Sequence, residues 1–164
     1  MRSERASAQS TLLASLVVGS NGATSLHGSS RELRTTEDRE RFLALRSSDS
    51  IGAIVVGSAT AMAEPYRSAP HPLHIYSRSS GLSIQEFIDA VRREISGKIL
   101  CEGGVTLIHS LLHEDLIDEF YLTHAPLPGD NHYLDHQLLR SKLSLSFSEM
   151  RAGTTFEKYE RASR

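Results

Sequence analysis

A chain of 164 residues suffices for one hydrophobic core and not for two, so a single domain is expected over residues 11–164, behind a flexible N-terminal tail over residues 1–10. Its 39% hydrophobic and 23% charged residues are those of an ordinary folded protein, and a formal charge of -2 with acids and bases mixed along the length leaves no basic stripe for nucleic acid. The single cysteine, Cys101, excludes an internal disulfide and fits a reducing cytoplasm, and no stretch approaches the roughly 20 apolar residues that span a bilayer, so a soluble protein with no membrane partner is expected.

Arg2 and Arg5 ahead of the apolar run Leu12–Val18 imitate a secretory signal, but the run is short, is interrupted by Ser15, and has no small-x-small cleavage site before Gly19. It reads instead as a first buried strand that ends in Gly-Ser-Asn-Gly. Thr35 and Asp38 stand at cap spacing before Phe42, Leu43 and Leu45, which predicts a helix with a weak apolar face. Ala53–Val56 is a second strand stopped at Gly57, and Ser58 to Ala63 open a short helix. Pro72–Tyr76 predicts a third strand, followed by the polar turn Ser77–Gly81. Ser83 with Glu86 forms a capping box, and Ile84, Phe87, Ile88, Val91 and Ile95 share one face of the helix behind it, ending at Gly97. Lys98–Cys101 is another strand, Glu102-Gly103-Gly104 a glycine turn, and Val105, Ile108, Leu111 and Leu112 a second amphipathic helix. Phe120–Ala125 is the next strand, Leu127-Pro128-Gly129 a turn, and Asp130–Arg140 irregular or weakly helical. Leu143, Leu145 and Phe147 alternate with serines, Arg151-Ala152-Gly153 is a turn signal, and Thr154–Glu160 alternates again, which predicts a terminal antiparallel hairpin. Strands alternating with helices and then pairing as a hairpin imply a three-layer α/β domain whose central sheet is mixed and mainly parallel.

Two strand-glycine-helix junctions, at Gly57 and at Gly103-Gly104, carry the chemical signal. Each offers free backbone N–H groups and the positive end of a helix, which suits a phosphate, while Ser58, Thr60 and Thr106 add hydroxyls. The same pattern also serves simply to complete a turn. Neither junction is a Walker loop or a G-x-G-x-x-G fingerprint, so an ATPase or an ordinary Rossmann domain is not supported.

The run from Val55 through Gly57, Thr60 and Glu64 to Tyr66 resembles the strand-G-x-x-T-x-x-x-E-x-Y segment of the reductases of riboflavin biosynthesis. Cys101-Glu102-Gly103-Gly104, Leu116-Ile117-Asp118-Glu119 and Ala125-Pro126 are similar, in order and spacing, to that family's C-E-G-G, L-x-D-E and A-P series. Gly19–Gly22 and Phe42–Arg46 resemble its S-x-D-G loop and F-x-x-L-R helix, so the resemblance covers about Leu12 to Gly129. It implies a dihydrofolate-reductase-like three-layer α/β/α fold with a C-terminal antiparallel hairpin. It also implies a homodimer that uses NADPH to reduce a small heterocyclic substrate, a 5-amino-6-(5-phosphoribosylamino)uracil-type riboflavin precursor. Carried over by position, Gly57, Ser58 and Thr60 would touch the cofactor at the first junction, and Glu102, Gly103, Gly104, Val105 and Thr106 would hold its phosphates at the second. Ser77 and Arg78 would meet the adenosine 2′-phosphate, with a solvated loop cation as the alternative reading of Arg78. Asn21, Gly22, Ser25 and Arg46 would line the substrate, with Arg46 or Arg31 on its phosphate.

The chain departs from the pattern at Gly19 and Asn21, where the family has serine and aspartate; an amide can hydrogen-bond but cannot deliver a proton. Val105 and Asp115 replace a proline and a glycine at helix ends. His109 with His113 and His132 with His136 have the spacing of ligands on one helix face, but neither pair has the glutamate of H-E-x-x-H, so solvated helix faces are expected and no metal. Cys101 reads as a small buried residue without a neighbouring base, and Asp118-Glu119 as turn contacts. A zinc-deaminase signature is absent from the sequence. The alternatives are a dihydrofolate-type pterin reductase and a non-catalytic NADPH-binding homologue.

Overall fold

The computed structural model describes residues 10–63 and 69–162; Glu64 and Tyr66 of the first motif and residues 1–9 of the expected tail lie outside them. In chain order the elements are β1 (Leu12–Val18), β2 (Ala23–Ser25), α1 (Thr36–Arg46), β3 (Ile51–Gly57), α2 (Ser58–Ala63), β4 (Leu73–Tyr76), α3 (Ile84–Glu94), β5 (Lys98–Cys101) and α4 (Val105–His113). They are followed by β6 (Glu119–His124), β7 (Asn131–Tyr133), α5 (His136–Lys142), β8 (Ser144–Arg151) and β9 (Thr154–Glu160). A seven-stranded sheet runs β4-β3-β5-β1-β6-β9-β8, parallel from β4 to β6 and antiparallel at the terminal hairpin, and β2 pairs with β7 in a separate ribbon.

The pleat sorts the apolar strand residues between two helical layers. Ala53, Val55, Ile99 and Cys101 pack with Ile88 and Val91 of α3 and Ile108, Leu111 and Leu112 of α4. Ile54, Val56, Leu100 and Leu13 face the other way, against Leu45 of α1 and Ala61 of α2. Strands buried on both faces read as continuous apolar runs, which is why β1, β3 and β5 are plain in the sequence. Complete burial of a residue such as Ile88 or Ile108 is worth about 1.5–3 kcal/mol, so these two layers supply most of the driving force.

The caps form as the sequence predicts. The Thr35 side chain accepts from Asp38 N, and at α3 both halves of the capping box are made, with Ser83 Oγ accepting from Glu86 N at 3.1 Å and Glu86 Oε2 accepting from Ser83 N at 2.8 Å. The face of α1 is weak, since Leu43 remains 46% exposed. The segment expected to be irregular or weakly helical, Asp130–Arg140, instead holds β7 and a capped helix, α5, whose Asp135 side chain accepts from Leu138 N at 2.9 Å. All three β7 residues are exposed, and only pairing with distant β2 makes them a strand, so no local pattern announces either half of the ribbon. Among the described residues no helix is long and apolar enough to cross a membrane.

Candidate active site

Parallel strands release their chains at one edge of the sheet, and ligands of such folds sit in the crevice there. β3 and β5 are neighbours in register, Val55 opposite Cys101, so the segments leaving them emerge side by side. Glu102 N donates to Val55 O and Gly57 N donates to Gly103 O, each at 3.0 Å, which ties the two glycine junctions into one wall. The Gly103–Gly104 peptide bond is cis, and Gly104 is the N-cap of α4, its carbonyl accepting from Ile108 N. A Cβ on Gly104 would lie 2.9 Å from Thr60 Oγ1, closer than real contacts allow, so glycine is what lets the second junction press against α2 of the first. Tyr76 of β4 lies beside Gly57, which brings Ser77 and Arg78 to the same edge.

These segments enclose a cavity of about 470 Å³. Gly57, Ser58 and Thr60, then Ser77 and Arg78, then Glu102, Gly103, Gly104, Val105 and Thr106 all line it, so the structure gathers every residue expected on the cofactor side. Ser15, Leu16 and Val17 of β1 form the floor beside them, and Thr24, Ser25, Gly28, Ser29, Ser30, Arg34 and His132 close the far side.

Of the residues expected around substrate, only Ser25 lines the cavity; Asn21, Gly22 and Arg46 are elsewhere. The Asn21 amide is a clasp: Nδ2 donates to Gly129 O at 2.8 Å, while Oδ1 accepts from Gly129 N at 3.0 Å and from Ala23 N at 3.3 Å. Both ends of this side chain are needed, which an aspartate could not provide. Gly22 O accepts from Leu134 N at 3.1 Å, part of the same seam between the β1–β2 loop and the β7–α5 region. Arg46 pairs with Glu102 instead of reaching into the cavity, Nε 3.0 Å from Oε1, and its guanidinium sits over the Phe42 ring at 5.5 Å. Physical necessity explains the placement: the Glu102 side chain is 1% exposed, and a buried carboxylate without a cation would cost several kcal/mol. Arg31 is likewise outside the lining.

Sequence reasoning gave Arg34 no role, and it weighed His132 only with His136 as ligands on a helix face, whereas the structure places His132 on strand β7. Arg34 Nη1 is 3.1 Å from Asp38 Oδ2 and its guanidinium lies 4.3 Å from the centre of the Phe42 ring, so the cation is held from behind at the cavity wall. Its signal was the i,i+4 Arg-Asp spacing across the Thr35 cap, which reads as ordinary helix electrostatics. His132 belongs to the ribbon that local patterning does not reveal.

The remaining chemistry-bearing residues have structural partners. Cys101 is fully buried beneath the glycine wall, and burial pushes its thiol up to about 12, which leaves it unreactive. His109 Nε2 accepts from Asp135 N at 3.0 Å, and burial holds this ring below the ordinary histidine value despite Asp135. Asp118 Oδ2 accepts from Leu12 N at 2.9 Å and pairs with Arg161. Among the described residues no cluster of three histidine, cysteine or acidic side chains is placed to hold a metal.

This arrangement of sheet, hairpin and open edge is the dihydrofolate-reductase-like fold, and comparison with solved structures bears it out. A pyrimidine reductase-like protein from Corynebacterium diphtheriae superposes with a TM-score of 0.66 at 17% identity, over 94% of this chain and 93% of that one. A Thermotoga maritima diaminohydroxyphosphoribosylaminopyrimidine deaminase/5-amino-6-(5-phosphoribosylamino)uracil reductase gives 0.70 at 13% identity, with 94% of this chain spanning 57% of the bifunctional protein. Dihydrofolate reductase from Enterococcus faecalis, complexed with NADP(H), gives 0.63 at 15% identity over 94% and 98% of the two chains. No protein-family model matches the sequence, and no curated protein matches it.

Proposed function

We propose that this chain is an NADPH-dependent reductase of a small heterocyclic substrate, of the 5-amino-6-(5-phosphoribosylamino)uracil type. The observation that carries the reading is the convergence of both glycine junctions and the Ser77-Arg78 turn on one cavity. Gly104 leaves room where a side chain would collide with Thr60, and the α4 N-terminus behind it presents backbone N–H groups, a cradle suited to a pyrophosphate. Ser58, Thr60 and Thr106 would add hydroxyl donors around it, and Arg78 would grip a 2′-phosphate with its planar fork. The bound nicotinamide would supply the hydride; the protein would supply orientation and exclusion of water. Ser25 and Arg34 on the far wall would orient the substrate, with Arg34 taking the anion-binding part that the resemblance gives to Arg46 or Arg31.

The neighbours named above support the reading: one is described as pyrimidine reductase-like, one as a deaminase/aminouracil reductase, and one is complexed with NADP(H). We further propose a cytoplasmic homodimer, with the exposed Leu145, Phe147 and Met150 of edge strand β8 as its contact, which sedimentation of the intact chain tests. Thermal unfolding with NADPH, with NADH and without cofactor tests the main claim. A ligand at about 100 times its dissociation constant stabilises by about 2.7 kcal/mol, so Tm should rise with NADPH and much less with NADH. No rise with either, from folded protein, overturns it.

A further inference from the structure

We propose that His132 is the proton donor of the reduction, a role that rests on the reductase reading above. When a carbon–nitrogen double bond is reduced by NADPH, carbon receives a hydrogen with its electron pair. The pair released from the double bond takes one proton at nitrogen, and the cofactor is left oxidised. The proton must come from a group at the cavity, and the described lining residues narrow the choice. Arg34 and Arg78 do not release protons near neutrality. Glu102 is engaged with Arg46. Tyr76 commits its hydroxyl to Leu82 O at 3.1 Å. Asn21, where the resemblance places a carboxylate, is an amide outside the cavity with both ends bonded. His132 is the remaining side chain among the described lining residues whose chemistry, that of an imidazole, can deliver a proton and regain it.

The local structure is built to hold this residue. His132 has φ 56, in the left-handed region that histidine enters more readily than most residues. Two side chains fix it there: Thr24 Oγ1 donates to His132 O at 2.5 Å, and Asn131 Oδ1 accepts from His132 N at 2.9 Å. His132 thereby stands on the wall formed by the ribbon, while the glycine junctions form the wall toward β3 and β5. A substrate between them would take its hydrogen from one side and its proton from the other. His132 is exposed, so solvent recharges the imidazolium after each turnover.

The test uses His132→Asn, which keeps a residue at ease in the left-handed region but carries no proton. With 5-amino-6-(5-phosphoribosylamino)uracil and NADPH, kcat should fall about 100-fold, within the usual range for removal of a general acid. The wild-type fall in rate as pH rises through the imidazole titration should vanish in the variant, while NADPH still raises its Tm as in the wild type. Independently of turnover, the ¹⁵N resonances of the labelled His132 ring should shift when saturating NADP⁺ fills the same cavity. Unchanged rate and pH profile in the variant, or His132 ring resonances indifferent to NADP⁺, overturns the role of His132. Failure of the wild type to bind NADPH overturns the reductase reading itself.

Discussion

The two walls of the cavity are built in opposite ways. The wall toward β3 and β5 consists of segments whose conformation is decided within a few residues: a strand stops at a glycine and a helix starts. The wall toward β2 and β7 depends on contacts between residues more than a hundred positions apart, as in Asn21 with Gly129 (108 apart), Ser25 with Asn131 (106) and His27 with Asp130 (103). A glycine wall of this kind is a local product of the backbone, whereas the facing wall is assembled from the far ends of the chain. The first can be read along a sequence, and the second has to be folded.

Breaking the far wall should have the largest effect. A Cβ on Gly129 would lie 2.5 Å from Ser25 O and 2.7 Å from the Ala23 Cβ, both on the facing β2 strand. Gly129→Val should therefore cost about 3 kcal/mol, the upper end for overpacking, and lower Tm by roughly 6–12 °C. Whatever folded protein remains should still bind NADPH, because the glycine junctions do not depend on that contact. A variant that loses NADPH binding while keeping its Tm would show that the walls are not separable.

The near wall is probed by Arg78→Ala. Loss of a charged hydrogen-bond donor is worth about 1.5–3 kcal/mol, so the Kd for NADPH should rise roughly 10- to 150-fold with that for NADH unchanged. Equal loss for both cofactors in a titration would remove Arg78 from the 2′-phosphate. A smaller effect is expected at the clasp. In Asn21→Asp the carboxylate still accepts from Gly129 N and Ala23 N but faces Gly129 O without a proton to give, so urea unfolding should show a loss of about 1–2 kcal/mol. Turnover should not rise, since this side chain is outside the cavity; a gain in rate would return position 21 to the chemistry.

The smallest effect is in pH. Burial holds His109 and His136 below the ordinary histidine value, so between their folded titration and about pH 6.5 the unfolded chain binds more protons than the folded one. Stability contributed by these neutral rings is complete above about pH 6.5 and is lost as pH falls below it. His109→Gln keeps an acceptor for Asp135 N without a titrating ring, and its Tm should decline less steeply on acidification than that of the wild type.

The same division governs how much of the molecule the sequence discloses. β1, β3 and β5 are legible because burial on both faces leaves them apolar throughout, and α3 because its capping box and its stripe from Ile84 to Val91 agree. The ten residues assigned to the cofactor all reach the cavity, each within a few positions of a strand end. On the substrate side only Ser25 does. Arg46 looked like an anion receptor because nothing along the chain reveals that Glu102, 56 positions later, would be buried against it. His132 was read as part of a helix face for a related reason: its neighbours on β7 are exposed, and its partner Thr24 is 108 positions away.

The Asn21 clasp has a kinetic meaning beyond holding two loops. Closing contacts that span more than a hundred residues carries a large entropic cost before any compensation arrives, so such pairings form late in folding. The β3–β5 edge, whose partners are about 46 positions apart, can organise while the ribbon is still open. A growing chain would then possess its glycine wall before it possesses the facing ribbon, and the cavity would stand open on one side until the last strands arrive.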